Sequence, residues 1–310
     1  MDAFDVPGLS MVTLKDCTPS APVNVGAATL DPQTPVGDDT VFETASLSKP
    51  VFAYLVLALA EERVIDLDRP IARDFSYDRI TDLDRYRQIT PRMVLSHRTG
   101  LPNWVGDTSD PDRRDPISFV AEPGETFSYS GEAFELLRKF IEAQTGEALN
   151  DLFRAQFASL MPQSTFALPL PAGVALTRGY RSSRDPASGR DLVNLTATAN
   201  AAGSLVATAR DYAAFLGHIC ARKGLSPETY AAMFEPVTPT PPGVFPAPAA
   251  YGLGWAIMTI GPETIILHGG DNDEFRSLAA IFPQADEAMV VLTNGRNGGD
   301  LIDAMIEQMQ

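Results

Sequence analysis

Residues 47–63 constrain the fold of this chain most. They are almost continuously apolar until Glu61-Glu62-Arg63 closes the run. A helix that is apolar on every side has no face to give to water, so it must be buried. Its longest unbroken apolar part, residues 51–60, is too short to cross a bilayer. The chain must therefore wrap a core around this helix. Its 310 residues suffice for one large domain or two modest ones.

The rest of the composition narrows the partners. Lys and Arg number 24 against 40 Asp and Glu, a formal net charge of −16. Such a chain repels nucleic-acid phosphates and anionic membranes, so neither is expected as a partner. The acidity is compatible with a cationic substrate, although it more often serves solubility. Cys17 and Cys220 lie far apart, form no C-x-x-C pair, and do not read as a disulfide framework. With only His97, His218 and His268, no His/Cys cluster has zinc spacing, and neither a metal nor an organic cofactor is expected. The opening MDAFDVPGLSMVTLKD has no basic region followed by an apolar core. The chain reads as cytoplasmic, or periplasmic had a leader been removed.

Around the apolar helix the pattern is uneven. Residues 9–14 and 23–29 read as short strands, and 31–40 as a polar loop. Residues 132–146 and 148–160 are amphipathic, and 205–221 read as a further helix. Prolines at 236, 239, 241, 242, 246 and 248 mark a stiff extended connector or flap. Beyond it, 251–260, 264–268, 277–282 and 288–293 read as strands, and 300–309 as a terminal helix. Strands at both ends with helices between predict one α/β sheet domain from residues 1–65 and 200–310. A mostly helical insertion would occupy 66–199, with the site in the cleft between the two.

Ser46-Leu47-Ser48-Lys49 sits at the head of the apolar helix. Positions i and i+3 share a helix face, so Ser46 Oγ and Lys49 Nζ can meet. A serine hydroxyl needs a base to become a nucleophile. A lysine serves only if its pKa falls, and both an apolar setting and the first helical turn disfavour its cation. Pro50 is tolerated there because first-turn N–H groups lack intrahelical partners. With 18 Ser and four Lys, chance alone yields roughly 0.2 S-x-x-K matches in such a chain. The plainer reading is a solvated lysine with Ser46 as helix cap. Against it, Phe52-Ala53-Tyr54-Leu55-Val56-Leu57 leaves little polar face.

Phe42-Glu43-Thr44-Ala45-Ser46-Leu47-Ser48-Lys49 resembles the nucleophile segment of class C β-lactamases and related penicillin-binding serine hydrolases. That family includes D-Ala-D-Ala carboxypeptidases, D-aminopeptidases, D-amino-acid amidases and β-lactamase-like esterases. Further segments follow in the family's order over nearly the whole chain: Leu67-Asp68-Arg69-Pro70, Leu95–Pro102, Pro123–Ser130, Ala202–Leu205, Tyr251–Trp255 and His268-Gly269-Gly270. The resemblance implies a β-lactamase/transpeptidase-like α/β (α+β) fold, an antiparallel sheet flanked by helices plus a mostly helical domain. It places Tyr129 beside Ser46 and Lys49 for proton transfer. A tyrosinate is favoured next to an ammonium, so Tyr129 and Lys49 would titrate as a pair. The plainer reading of Tyr129 is a core tyrosine, and that of His268 a satisfied histidine before a glycine turn. The resemblance has His268 orient substrate or tune that pair, with Gly269 and Gly270 letting the substrate backbone approach the strand. The backbone N–H groups of Ser46 and Asp271 would hold the oxyanion.

The pattern departs from the family at Gly131. There the β-lactamases and carboxypeptidases carry an asparagine that holds the substrate amide. This puts lactam and peptidoglycan recognition in doubt and leaves the Ser46 chemistry untouched. Glu132, Asp271, Asp273 and Glu274 flank the site as solvated turn residues or as a binding site for a substrate ammonium. No G-x-S-x-G elbow and no P-loop is present. The expectation is a serine hydrolase acting on a small ester or amide, of the esterase or D-amino-acid amidase and aminopeptidase type. The alternatives are a penicillin-binding sensor that stops at the acyl-enzyme, an acyltransferase, and a true β-lactamase or D-Ala-D-Ala carboxypeptidase.

Overall fold

A computed structural model describes residues 1–308 apart from 109, 111, 112 and 246. The chain opens with β1 (Gly8–Lys15), β2 (Thr18–Pro19), β3 (Val23–Leu30), β4 (Gln33–Pro35) and β5 (Thr40–Glu43). A single 3-10 turn, Ala45–Leu47, leads into α1 (Ser48–Glu61). Next come α2 (Leu83–Tyr86), α3 (Pro91–Leu95), α4 (Gly131–Thr145) and α5 (Leu149–Phe157). They are followed by β6 (Ala175–Leu176), β7 (Val206–Ala207), α6 (Ala209–Cys220) and α7 (Pro227–Met233). The last part holds β8 (Thr238–Pro239), β9 (Ala249–Tyr251), β10 (Ala256–Ile260), β11 (Glu263–Asp271), β12 (Arg276–Phe282), β13 (Glu287–Thr293) and α8 (Gly298–Gln308).

The main sheet runs β4-β3-β1-β13-β12-β11-β10-β9-β8, with β2 hairpinned onto β1. Its pairings are antiparallel, and β1 meets β13 from Leu9 opposite Thr293 to Leu14 opposite Ala288. Strand periodicity of two sorts the side chains onto two faces. Val12, Leu14, Val290 and Leu292 join the large core that holds α1 and α6. Leu9, Met289, Val291 and Leu278 turn the other way, onto Leu301 and Ile302 of α8. Residues 48–57 of α1 are all buried, as an all-apolar helix requires. Among the described residues no helix is long and apolar enough to cross a membrane.

Four expectations need correction. Residues 205–221 are not one helix: Val206 and Ala207 pair with β5, and Thr208 then caps α6 through Asp211 N. Residues 251–260 are not one strand. Gly254 breaks it with φ +85°, where a Cβ would lie 2.3 Å from Ala53 Cβ of α1. The proline-rich segment is not an extended connector but folds back, with β8 pairing β9; Pro246 lies outside the described residues. Finally, Cys17 and Cys220 form a disulfide that ties the β1–β2 turn to the end of α6. Distance along the chain says little about distance once β1 and α6 pack together.

Candidate active site

The site begins with a strained turn. Ala45 is buried and left-handed at φ +51°, a conformation that costs a non-glycine residue about 1–2 kcal/mol. Its surroundings hold it there. Thr44 donates from N and Oγ1 to Leu205 O at 2.9 and 2.8 Å. Ser277 Oγ donates to Thr44 O at 2.8 Å, and Ser48 Oγ donates to Ala45 O at 2.6 Å. Ser48 Oγ also accepts from Leu205 N at 3.0 Å, and Tyr212 donates to Leu47 O at 2.9 Å. Along residues 40–50, Ser46 is the one position that is not buried.

Lys49 Nζ lies 3.0 Å from Ser46 Oγ and donates to Ala202 O at 2.8 Å. Its side chain is 1% exposed. Burial lowers its pKa to about 7, against an opposing pull from Glu135. Glu135 is itself engaged by Arg138 and by Ala201 N.

The ring of Tyr129 lies 4.7 Å from Lys49 Nζ, measured to its centroid. The structure corrects the expected tyrosinate. Desolvation drives the phenol well above its usual value, and interaction with Ser46 only partly offsets this. Near pH 7 the lysine gives up its proton while the phenol keeps its own. His97, which the sequence showed only as one letter of a matching segment, holds Tyr129 in place. Its carbonyl accepts from Ser128 N at 2.7 Å, its Nδ1 accepts from Ser130 N at 3.1 Å, and its ring stacks 4.3 Å from that of Tyr129.

The fourth side is the edge of β11. Strand β10 stops opposite Leu267, so on that side the edge from His268 to Asp271 has no strand partner among the described residues. Asn272 N bonds Phe275 O, which makes 272 and 275 a hydrogen-bonded pair. By antiparallel alternation, Asp271 then points its N–H away from β12. His268 Nδ1 lies 2.7 Å from Gly269 O; a carbonyl only accepts, so Nδ1 carries the proton and Nε2 keeps a lone pair. Burial, then Lys49, lower the His268 pKa to about 3, and its Nε2 has no partner among the described residues. The two glycines differ. A Cβ on Gly269 would meet nothing closer than 3.9 Å, whereas one on Gly270 would sit 2.5 Å from Thr44 O. Gly270 thus also lets β11 press on the nucleophile turn.

One cleft of about 740 Å³ is lined by Ser46, Lys49, Tyr129, His268, Gly269, Gly270 and Asp271. Val244 and Phe245, at the tip of the proline-rich hairpin, line it as well. The expected acidic groups are otherwise engaged. Glu132 is fully buried, gripped by Arg79 at 2.7 Å and Arg113 at 3.3 Å, and it accepts from Val105 N. It does not line the cleft and has no room for a substrate ammonium. Asp273 faces a neighbouring cavity and pairs with Arg296 at 2.9 Å, while Glu274 is buried against Arg181 and Arg190. Asp271 pairs with Arg276. Gly131 does not line the cleft either. Its missing side chain is replaced by Trp104, whose indole would lie 2.2 Å from a Cβ. Glu43, unmarked in the sequence analysis, is a buried carboxylate that accepts from Asn194 and Asn272 and so ties β5 to the turn after β11. Burial raises its pKa. No group of three His, Cys, Asp or Glu among the described residues is placed to hold a metal ion.

A family model described as Beta-lactamase matches residues 1–308. Unguisins hydrolase ungD' of Aspergillus campestris is 28% identical over 95% of the chain and 59% of that relative. The chain thus spans about three fifths of that relative's length. The D-amino acid amidase of Ochrobactrum anthropi SV3 superposes with a TM-score of 0.79 at 25% identity, covering 99% of this chain and 97% of that one. A class C beta lactamase from Rhodobacter sphaeroides superposes with a TM-score of 0.75 at 21% identity, covering 98% and 96%.

Proposed function

The chain belongs to the β-lactamase family and shares its fold and its hydrolase character, and from that premise we propose that it cleaves a small amide or ester through an acyl-enzyme on Ser46. The observation that carries this reading is Lys49: a lysine 3.0 Å from a serine hydroxyl, with a pKa of about 7. At neutral pH about half of it is free amine, a base positioned for general-base work.

In this scheme Ser46 Oγ attacks the substrate carbonyl and passes its proton to Lys49 Nζ. The developing oxyanion takes hydrogen bonds from the N–H groups of Ser46 and Asp271. Tyr129 is protonated at rest. Its hydroxyl gives a proton to the leaving amine or alkoxide and is refilled by the Lys49 ammonium. Water then attacks the acyl-enzyme and loses its proton to Lys49, whose ammonium returns it to Ser46 Oγ as the acyl C–Oγ bond breaks and the acid leaves. His268 offers its Nε2 lone pair to a substrate N–H. The likeness to the D-amino acid amidase favours an amino-acid amide. Beside Gly131 the amide of Asn103 lines the cleft, its Oδ1 accepting from Gly131 N at 3.0 Å, and can receive a substrate amide there.

A panel tests this: p-nitrophenyl esters, D- and L-amino-acid p-nitroanilides and a chromogenic cephalosporin, with mass spectrometry of the trapped adduct. The expected label is on Ser46, with Ser46→Ala losing about 10³-fold or more in kcat. Turnover by Ser46→Ala, or a label on another residue, overturns the assignment.

A further inference from the structure

The cleft has a neighbour. Trp104, Gly203 and Asn272 line both the cleft and a second cavity of about 430 Å³, so the two share a wall. In a chain of net charge −16, the second cavity is walled by five cations, Arg79, Arg113, Arg138, Lys139 and Arg190, against two carboxylates, Glu135 and Asp273. Arg138 is matched by Glu135 and Glu142, and Asp273 pairs with Arg296, but the carboxylates of the other cations do not keep pace. Arg79 and Arg113 share the single buried Glu132. Arg190 shares Glu274 with Arg181 and, at 3.7 Å, with Arg296. Lys139 has no ion pair among the described residues and lies 5.6 Å over the Tyr77 ring. Burial first, then Arg138, pushes its pKa down, against an opposing pull from Glu135.

Two donors there are also unsatisfied. Arg113, whose side chain is 8% exposed, and Arg190 each keep a buried Nε–H with no acceptor among the described residues. A guanidinium can only donate, so what is missing is an acceptor, and excess positive charge selects an anionic one.

Resting on the serine hydrolase reading above, we propose that this second cavity is a subsite for a carboxylate carried by the substrate. Lys139, Arg190 and Arg113 would receive it while the scissile carbonyl sits at Ser46. The substrate class becomes a small amide or ester that also bears a free carboxylate, as an acidic amino-acid derivative or a short peptide does.

Two matched pairs of substrates test this. p-Nitrophenyl butyrate against mono-p-nitrophenyl glutarate places the charge on the acyl side. D-phenylalanyl-glycinamide against D-phenylalanyl-glycine places it on the leaving side. In one of these pairs the carboxylate member should be favoured about tenfold or more in kcat/KM, in line with a charge-assisted hydrogen bond. Lys139→Met and Arg190→Gln should each cut that preference about fivefold, mainly through KM. No preference in either pair, or one that survives both substitutions, overturns the subsite while Ser46-dependent turnover upholds the hydrolase reading. If neither pair is turned over, titration calorimetry of glutarate into the Ser46→Ala protein reads the subsite alone. Binding weakened at least fivefold by adding Lys139→Met supports it, and unaltered or undetectable binding overturns it.

Discussion

Replacing Lys49 by methionine should abolish hydrolysis and yet stabilise the protein at neutral pH. The lysine titrates near 7 in the folded chain against 10.5 for a solvated lysine. Between those values the unfolded chain binds the proton and the folded one does not, so wild-type stability rises with pH through that window. At 1.36 kcal/mol per unit, burial of Lys49 costs the native state about 4 kcal/mol at pH 7 and about 2 kcal/mol at pH 9. Methionine has a similar shape and no charge to desolvate. It does leave Ala202 O without its donor, a loss of about 1–3 kcal/mol. The variant should therefore gain about 1–3 kcal/mol at pH 7, and that gain should shrink by about 2 kcal/mol at pH 9. Urea unfolding of both proteins at the two pH values measures it, because the other titrating groups cancel in the difference. A difference between the two proteins that does not change from pH 7 to pH 9 would refute the argument, since Lys49 would then carry the same charge folded and unfolded.

Three further outcomes are expected. Ester kcat/KM should climb about tenfold from pH 6 to pH 8 and level off above, following the free-amine fraction of Lys49; a flat profile speaks against Lys49 as base. Gly131→Asn should destabilise the protein by about 1–3 kcal/mol by driving a side chain into the Trp104 indole. Adding Trp104→Ala should recover most of that loss in urea midpoint, and a single variant as stable as wild type contradicts the packing described. Cys17→Ser with Cys220→Ser should cost about 2–4 kcal/mol. Alkylation of the unfolded, unreduced wild type should find no free thiol, and two labelled thiols would contradict the disulfide.

What was legible in the sequence was whatever depends on local pattern. The apolar run announced a buried α1, and short runs bounded by turn residues announced β1, β3 and β11–β13. The i, i+3 spacing brought Ser46 to Lys49. What was not legible depends on partners far along the chain. Glu132 looked like a free carboxylate because Arg79 and Arg113 lie 53 and 19 positions away. Gly131 looked like a vacancy because nothing local shows Trp104 filling it. Tyr129 looked ionisable because the ammonium is adjacent in the motif pattern, whereas its desolvation is a property of the assembled site. His97 could have been found: it stood in a segment matching the family, Leu95–Pro102, close before the segment that holds Tyr129.

The pairing of β1 with β13 has a consequence for synthesis. A ribosome delivers β1 first and β13 nearly 280 residues later, so the first strand waits for almost the entire chain before it can take its place beside the last. The edge of β11 that faces the nucleophile turn emerges equally late. A nascent chain halted at α7 would hold Ser46 and Lys49 without the strand that completes the cleft, and would leave β1 and β3 exposed. Such long-range pairing slows folding and lengthens exposure to aggregation. Hydrolytic competence should therefore appear as a late, all-or-none event during translation.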